Sequence, residues 1–181
     1  MREARLTLVH GAGNTMAMAN DTTPFACGGC ACGAIRYTLD DAPYAVNCCH
    51  CTDCQREGGS AFAVNAAIEA SLLHATGPKP LTDHLPSASG AGQVVRRCPQ
   101  CHTVLWSHYG ALGPRAAFVR AGTLDDPALC PPTAQIWTAG KLPWVVLDPA
   151  IPAFAQFYAG RDIPALLGER GAARLRALRA R

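Results

Sequence analysis

The stretch NCCHCTDCQREGG, residues 47–59, carries four cysteines and a histidine within seven residues. Three of these cysteines, Cys49, Cys51 and Cys54, have the spacing C-x-C-x-x-C, which can aim three sulfurs at one ion. Three protein ligands with no obvious fourth are typical of a metal site with an open coordination position. His50 is the weaker candidate for a fourth ligand, because its side chain lies between two ligands. A hydrogen bond from His50 to a ligand sulfur suits its position better.

Two further cysteine clusters flank this stretch. The first is CGGCACG, with Cys27, Cys30 and Cys32, and the second is CPQC, with Cys98 and Cys101. One pair from each cluster makes a four-thiolate zinc site if the two turns meet in the fold. Spacing alone leaves open whether Cys27 or Cys32 joins Cys30.

Composition favours a globular protein of one domain, since 49% of the 181 residues are hydrophobic and only 16% are charged. The net charge is +3, but residues 161–181 hold six arginines against two acids and contribute +4. The remaining chain is close to neutral, unlike a dedicated nucleic-acid binder. The chain has no secretory signal and no membrane-spanning run, so a cytoplasmic location is expected. Ten cysteines in that compartment indicate metal ligands rather than disulfides.

Short apolar runs between turn residues predict a mainly β fold. We expect a single zinc-pinned domain of short antiparallel sheets, with few short helices and a C-terminal helix. The predicted organisation is a flexible N-terminal extension over residues 1–24, the zinc-binding domain over 25–158, and an Arg-rich helical tail over 159–181. Strands are predicted near residues 34–39, 44–48, 61–64, 93–98, 103–110, 115–124 and 135–139. The stretch SAFAVNAAIEASLLHATG, residues 60–77, is predicted to form strands broken at Asn65, with a helix as the alternative, and SASGAG, residues 87–92, is predicted to be a loop or hairpin tip.

A zinc ion on three thiolates carries a net charge of −1 and is therefore a poor Lewis acid. It should activate water less well than zinc on three neutral imidazoles. It can instead bind a substrate thiol in the open position and keep it as a thiolate near neutral pH. This chemistry favours a thiol that attacks, or leaves from, a small carbon electrophile, rather than hydrolysis.

With these motifs, the chain resembles the glutathione-dependent formaldehyde-activating enzyme family, which also includes centromere protein V. The matching stretches are GGCACGAIRY, CHCTDCQREGGSAF, RRCPQCHTVLW, AGTLDD and KLPWVVLDPAIPAF, which run in order from residue 28 to residue 154. The resemblance implies a fold of zinc-pinned β-sheets. It also implies the condensation of formaldehyde with glutathione to S-(hydroxymethyl)glutathione, which is a carbon–sulfur lyase reaction in reverse.

The resemblance further implies two zinc ions per chain. A structural zinc would bind Cys30, Cys32, Cys98 and Cys101, which leaves Cys27 free, and a catalytic zinc would bind the three cysteines of the C-x-C-x-x-C stretch, with Cys48 a bystander. Two positions depart from the family pattern. His102 stands where the family usually has glycine, and Gln135 stands where it often has histidine.

Several residues outside the cysteine clusters are candidates for a part in this function. Glutathione carries two carboxylates, so Arg56 and Lys141 are candidate glutathione contacts, although solvated surface charge is the simpler interpretation of each. Trp137 and Trp144 are predicted to pack in the core or cover the sites. Asp53 is interpreted as a turn residue, with a proton acceptor as the alternative.

Two alternative functions are open. One is a non-catalytic zinc module for protein or nucleic-acid interaction, in which the Arg-rich tail would be the working part. The other is a zinc-dependent sulfoxide reductase, which would need a reactive cysteine such as Cys130. The leading hypothesis is a zinc enzyme with a small-molecule thiol substrate, no membrane partner and no nucleic acid.

Overall fold

A computed structural model describes residues 23–180, which form ten strands and two α-helices joined by short 3-10 turns. The strands are β1 (Ala26–Gly29), β2 (Arg36–Leu39), β3 (Ala45–Cys49), β4 (Ala63–Glu69), β5 (Leu73–Thr76), β6 (Leu81–Leu85), β7 (Gln93–Arg97), β8 (Val104–Tyr109), β9 (Ala116–Arg120) and β10 (Ala134–Ile136). The helices are α1 (Thr52–Gly58) and α2 (Ile163–Arg179). Residues 1–22 of the predicted N-terminal extension lie outside the described part of the chain.

The strands form two sheets, which confirms the predicted mainly β class. A three-stranded sheet has the order β1-β2-β5, and a seven-stranded sheet has the order β10-β3-β4-β9-β8-β7-β6. Every strand pair is antiparallel except β10 with β3, which is parallel. A parallel neighbour requires a crossover connection, and the segment between β9 and β10 returns the chain to run alongside β3.

The large sheet separates two apolar layers, and β3 and β4 are buried on both faces. Val46 on β3 and Ile68 on β4 face the core shared with the small sheet. The alternate residues, such as Ala45 and Ala67, face a second cluster that includes the C-terminal helix. This alternation follows from the two-residue period of a strand. Asn47 and Cys49 therefore point away from the first core.

Several elements differ from the sequence-based expectation. The strand β4 continues through Asn65, which pairs with Asn47 on one side and Arg120 on the other, so this stretch is neither broken nor helical. The strands β1 and β6 and the helix α1 were not predicted, whereas β5 lies within residues 60–77, where strands were favoured. The sequence LTDHL of β6 has no clean apolar alternation because β6 is an exposed edge strand. The loop at residues 87–92 does lie between the antiparallel strands β6 and β7, as predicted.

The C-terminal helix α2 is present as predicted, and one of its faces is buried against the protein rather than lying free on the surface. Ala172, Leu175 and Leu178 pack in the second cluster. At Gly171 an added Cβ would lie 3.0 Å from the carbonyl oxygen of Tyr44, so the missing side chain lets helix and strand approach closely. No helix within residues 23–180 is long and apolar enough to cross a membrane.

Arginines on α2 meet acidic groups of the sheet layer. Arg174 donates from Nε to Glu69 at 2.9 Å and from a terminal nitrogen to the carbonyl of Ala42 at 2.6 Å. Arg170 pairs with Asp41. Two arginines of this segment therefore pair with acidic residues of the preceding domain, and the predicted domain boundary at residue 158 stays a prediction.

Candidate metal centres

Four cysteine sulfurs from two distant turns come together at one end of the molecule. The ligand atoms of Cys30, Cys32, Cys98 and Cys101 all lie within 4.8 Å of one another. The Cys30 and Cys32 sulfurs are 3.5 Å apart, and those of Cys32 and Cys98 are 3.8 Å apart. In a tetrahedral site with zinc–sulfur bonds of about 2.3 Å, the sulfurs lie about 3.8 Å apart. The cluster can therefore hold a metal ion with little rearrangement.

Local backbone geometry explains why these turns present thiolates. The backbone N–H groups of Ile35 and Gln100 donate to the sulfurs of Cys30 and Cys98, at 3.2 and 3.4 Å. The hydroxyl of Thr103 lies 3.1 Å from the sulfur of Cys101, and its contact, together with the Thr103 backbone, lowers the pKa of that thiol to about 5. N–H and O–H donors stabilise the ionised sulfur, which is the form that binds metal.

The position of Cys27 answers the question that spacing left open. Its side chain is exposed on β1, and it does not belong to either sulfur cluster among the described residues. The C-x-C pair of Cys30 and Cys32 meets the C-x-x-C pair instead. The assignment of a structural zinc to these four cysteines remains a prediction, which this geometry supports.

A second cluster contains three buried sulfurs. The ligand atoms of Cys49, Cys51 and Cys54 lie within 4.8 Å of one another, and each residue is at most 7% exposed. The neighbouring sulfurs Cys49 and Cys54, followed by the N–H groups at the start of α1, lower the pKa of Cys51 to about 2 despite its burial. No fourth histidine, cysteine or acidic ligand joins this group within residues 23–180.

The helix α1 fixes two of these three sulfurs. Cys51 is its N-cap residue, and its sulfur accepts a hydrogen bond from the N–H of Cys54 at 3.4 Å. Gln55 on the next position donates to the carbonyls of His50 and Gly140, at 2.7 and 2.9 Å. Gln55 therefore ties the cysteine loop to the segment after β10. Sequence analysis missed this residue because its partner lies 85 positions away.

His50, Cys48 and Cys130 lie outside both clusters. The imidazole of His50 is fully buried, and its Nε2 lies 3.5 Å from the sulfur of Cys48 rather than from a cluster sulfur. Burial lowers the pKa of His50, with the charge of Lys141 adding to the effect. Cys130 is buried in the first core, and burial raises the pKa of its thiol. A raised pKa and no exposure make Cys130 a poor nucleophile.

The three-sulfur cluster opens into a cavity of about 250 Å³. Small-molecule pockets begin at a comparable size, about 300 Å³. The walls are largely apolar and aromatic, with Phe118 from β9 and Trp137 after β10 among them. The helix α2 contributes Leu175 and Arg179 to the wall. Asp53 also lines the cavity, beside the sulfurs.

The two predicted glutathione contacts lie elsewhere. Arg56 is exposed on α1, and Lys141 donates to the carbonyls of Leu142 and Val145, at 3.1 and 2.7 Å. Neither side chain lines the cavity. Their role in substrate binding stays a prediction, and Arg179 is the arginine that the fold brings to the cavity wall.

A buried ion pair supports the helix α1 from behind. The guanidinium of Arg120 pairs with Glu57 and with the amide oxygen of Asn65, and it lies 3.4 Å from the hydroxyl of Ser107. The side chains of Arg120 and Glu57 are only 12% and 4% exposed. Burial lowers the pKa of Arg120, but Tyr109 and Glu57 outweigh this, so its pKa lies above the usual value.

Two departures from the family pattern now have structural descriptions. His102 has a φ of 58°, in the left-handed region that favours glycine. The side chain of Gln135 is buried and donates to the carbonyls of Asp148 and Ile151, at 3.0 and 3.2 Å. Gln135 therefore anchors a loop and does not line the cavity.

Trp137 and Trp144 lie in different environments. Trp137 lines the cavity, as one of its predicted roles allowed, and has a φ of 57°. The prediction that Trp144 packs in the core or covers a site is wrong, because its side chain is 71% exposed. Pro143 and Trp144 are the two central residues of a β-turn, closed by the hydrogen bond from the N–H of Val145 to the carbonyl of Leu142 at 3.0 Å.

The chain is similar to a known protein family and to a solved structure. A family model described as "Glutathione-dependent formaldehyde-activating enzyme" matches residues 25–140, which include both sulfur clusters. No curated protein sequence matches the chain. A crystal structure of a Rhodobacter sphaeroides protein is similar over 70% of this chain and 98% of that chain, with 16% sequence identity and a TM-score of 0.43. On the match of its sequence over residues 25–140, the chain belongs to the glutathione-dependent formaldehyde-activating enzyme family.

Proposed function

We propose that this protein is a zinc-dependent carbon–sulfur lyase or synthase that acts on a thiol adduct, of the type that joins formaldehyde and glutathione. The observation that carries the proposal is the three-sulfur cluster of Cys49, Cys51 and Cys54 at the wall of an apolar cavity. Three thiolates suit zinc, and the cavity gives a substrate access to a fourth position. The family name supports glutathione and formaldehyde as substrates, and the cytoplasm is the proposed location.

The net reaction needs few protein groups. A zinc ion at the three sulfurs would hold the substrate sulfur as a thiolate. The sulfur lone pair attacks the formaldehyde carbon, a carbon–sulfur bond forms, and the π electrons of the carbonyl move to its oxygen. The proton lost by the thiol ends on that oxygen, which gives the hydroxymethyl thioether. Asp53 is the carboxylate at the cavity wall beside the sulfurs and is proposed to carry this proton.

The protein's other contributions are positioning and exclusion of water. The N-cap contact of Cys51 and the two hydrogen bonds of Gln55 hold the sulfurs in place. Aromatic walls lower the local dielectric constant, which strengthens the attraction between a metal ion and a thiolate. The reverse reaction, loss of formaldehyde from the adduct, follows the same path.

A non-catalytic module for nucleic acid or protein is less well supported. Its working part would be the Arg-rich tail, but Arg170 and Arg174 already pair with Asp41 and Glu69 of the same chain. The residues buried from α2 also hold it against the cavity rather than leaving it free to reach a partner.

Metal analysis and exchange spectroscopy test the proposal. We expect two zinc ions per chain, one of them released by a mild chelator or by excess glutathione. Nuclear magnetic resonance should show faster formaldehyde–glutathione exchange with the wild-type protein than with Cys54→Ser. Cys48→Ala is the matched control, because Cys48 is a buried neighbour outside the cluster. No acceleration by fully zinc-loaded wild-type protein would refute the formaldehyde assignment.

A further inference from the structure

The cavity has a second, polar end that the proposed chemistry does not use. Among the polar residues that line the cavity are Tyr44 just before β3, Asn47 on β3, Tyr158 in the segment before α2, and Arg179 on α2. We propose that this end is a carboxylate-binding subsite for the substrate, with Arg179 as the residue that determines selectivity. The inference rests on the proposed function, because it assumes that the substrate sulfur occupies the three-sulfur end.

Two buried polar groups at this end have no partner within the described part of the chain. The hydroxyl of Tyr44 and the amide oxygen of Asn47 make no hydrogen bond there, although the residues are only 6% and 2% exposed. A buried polar atom without a partner is costly. Both residues line the cavity, so a bound molecule can supply the missing partners. The hydroxyl can donate to a carboxylate, and the amide oxygen can accept an N–H.

Arg179 supplies a positive charge to the same end. Its charge acts on the hydroxyls of both Tyr44 and Tyr158, where it opposes the rise in pKa that burial causes. No acidic group within residues 23–180 forms an ion pair with Arg179, whereas Arg170 pairs with Asp41, and Arg174 pairs with Asp41 and Glu69. An arginine and a tyrosine hydroxyl that line the same cavity are suitable donors for a carboxylate.

The strand β3 sets the distance between the two ends. Ala45, Asn47 and Cys49 alternate along β3 and all line the cavity. Two residues of a strand span about 6.6 Å, so Asn47 lies about two peptide units from Cys49, and Tyr44 lies further along the chain. A substrate with its sulfur at Cys49 would thus place an amide N–H near Asn47 and a carboxylate near Arg179. This order of groups is that of a thiol peptide.

Calorimetric titration of the zinc-loaded protein with glutathione and with its diethyl ester tests the inference. We expect the wild type to bind glutathione about tenfold more tightly than the ester, as for one charged hydrogen bond. Arg179→Met should bind the two equally. Arg176→Met is the matched control, because Arg176 is exposed on the same helix and does not line the cavity, and it should keep the preference. Tyr44→Phe, which retains the ring, should reduce it.

The outcomes distinguish failure of the carboxylate subsite from failure of the proposed function. Equal binding of acid and ester by the wild type, or an unchanged preference in Arg179→Met, overturns the carboxylate subsite alone. Loss of the preference in Arg56→Met instead would assign the carboxylate to the residue predicted from sequence and would overturn this inference too. If neither thiol binds the zinc-loaded wild type, the proposed function and the subsite fail together.

Discussion

Substitution of Arg120 by methionine should lower the free energy of unfolding strongly, because it leaves Glu57 as a buried charge without its main partner. Glu57 is only 4% exposed, and it would retain only Arg97, whose guanidinium lies 3.7 Å away and is itself 21% exposed. Removal of one partner from a buried pair costs about 3–5 kcal/mol. Because Arg97 compensates in part, we expect a loss near the lower end, about 3 kcal/mol.

A double-mutant cycle measures this interaction directly. In urea denaturation of the zinc-loaded proteins, followed by tryptophan fluorescence, the double variant Arg120→Met/Glu57→Gln should be more stable than the sum of the two single losses predicts. A coupling free energy of about 1.5 kcal/mol or more is expected. Arg96→Met is the control, because Arg96 bonds only the hydroxyl of Thr82 among the described residues.

The same cycle examines the link between the ion pair and the metal cluster. Glu57 lies in the last turn of α1, and Cys54 lies one turn before it on the same helix. Looser packing of α1 should therefore speed chelator-induced zinc release from the three-sulfur cluster in Arg120→Met. A stability of Arg120→Met within about 0.5 kcal/mol of the wild type, the range of an ordinary surface change, would refute the burial argument.

Three further predictions concern separate regions. Cys98→Ser should lose one zinc per chain and lower the melting temperature, whereas Cys27→Ser should retain two zinc ions; equal metal contents would contradict the four-cysteine site. Arg174→Met should cost about 1–3 kcal/mol at pH 7. Burial raises the pKa of Glu69, but Arg174 outweighs this and holds the pKa below its usual value, so the stability from this pair is present above the usual carboxyl range and fades as pH falls through the lowered pKa; a difference between wild type and variant that does not shrink as pH falls would contradict it. His102→Gly should raise stability by up to about 1 kcal/mol, since glycine adopts a positive φ without strain, and thermal melting would show the opposite shift if His102 makes a compensating contact.

Much of the metal chemistry was visible in the sequence because ligand spacing is local. The motif C-x-C-x-x-C of Cys49, Cys51 and Cys54 predicted a three-sulfur group, and the structure brings these sulfurs together. The choice between Cys27 and Cys32 was not local, since it depends on which turn meets Cys98. The structure gives the answer through the contact of two turns.

The cavity was not visible, because its walls come from residues far apart in the chain. Asn47 and Arg179 line one cavity only because the β3 region and α2 pack in the same cluster. The pairing of Arg120 with Glu57 spans 63 positions and leaves no periodic signal. Trp144 shows that residue type alone can also mislead. A large aromatic residue is buried on average, but the loop that carries Trp144 lies on the surface.

The contribution of α2 to the cavity has a consequence for how such proteins diverge. The family match ends at residue 140, whereas Leu175 and Arg179 belong to the segment that follows. The sulfur clusters and this part of the cavity wall are thus encoded in separate parts of the gene. A relative with the same cysteines but a different C-terminal segment would present a different cavity wall to the same sulfur group. Shared cysteines would then be a poor guide to shared substrates, and the tail sequence would be the better one.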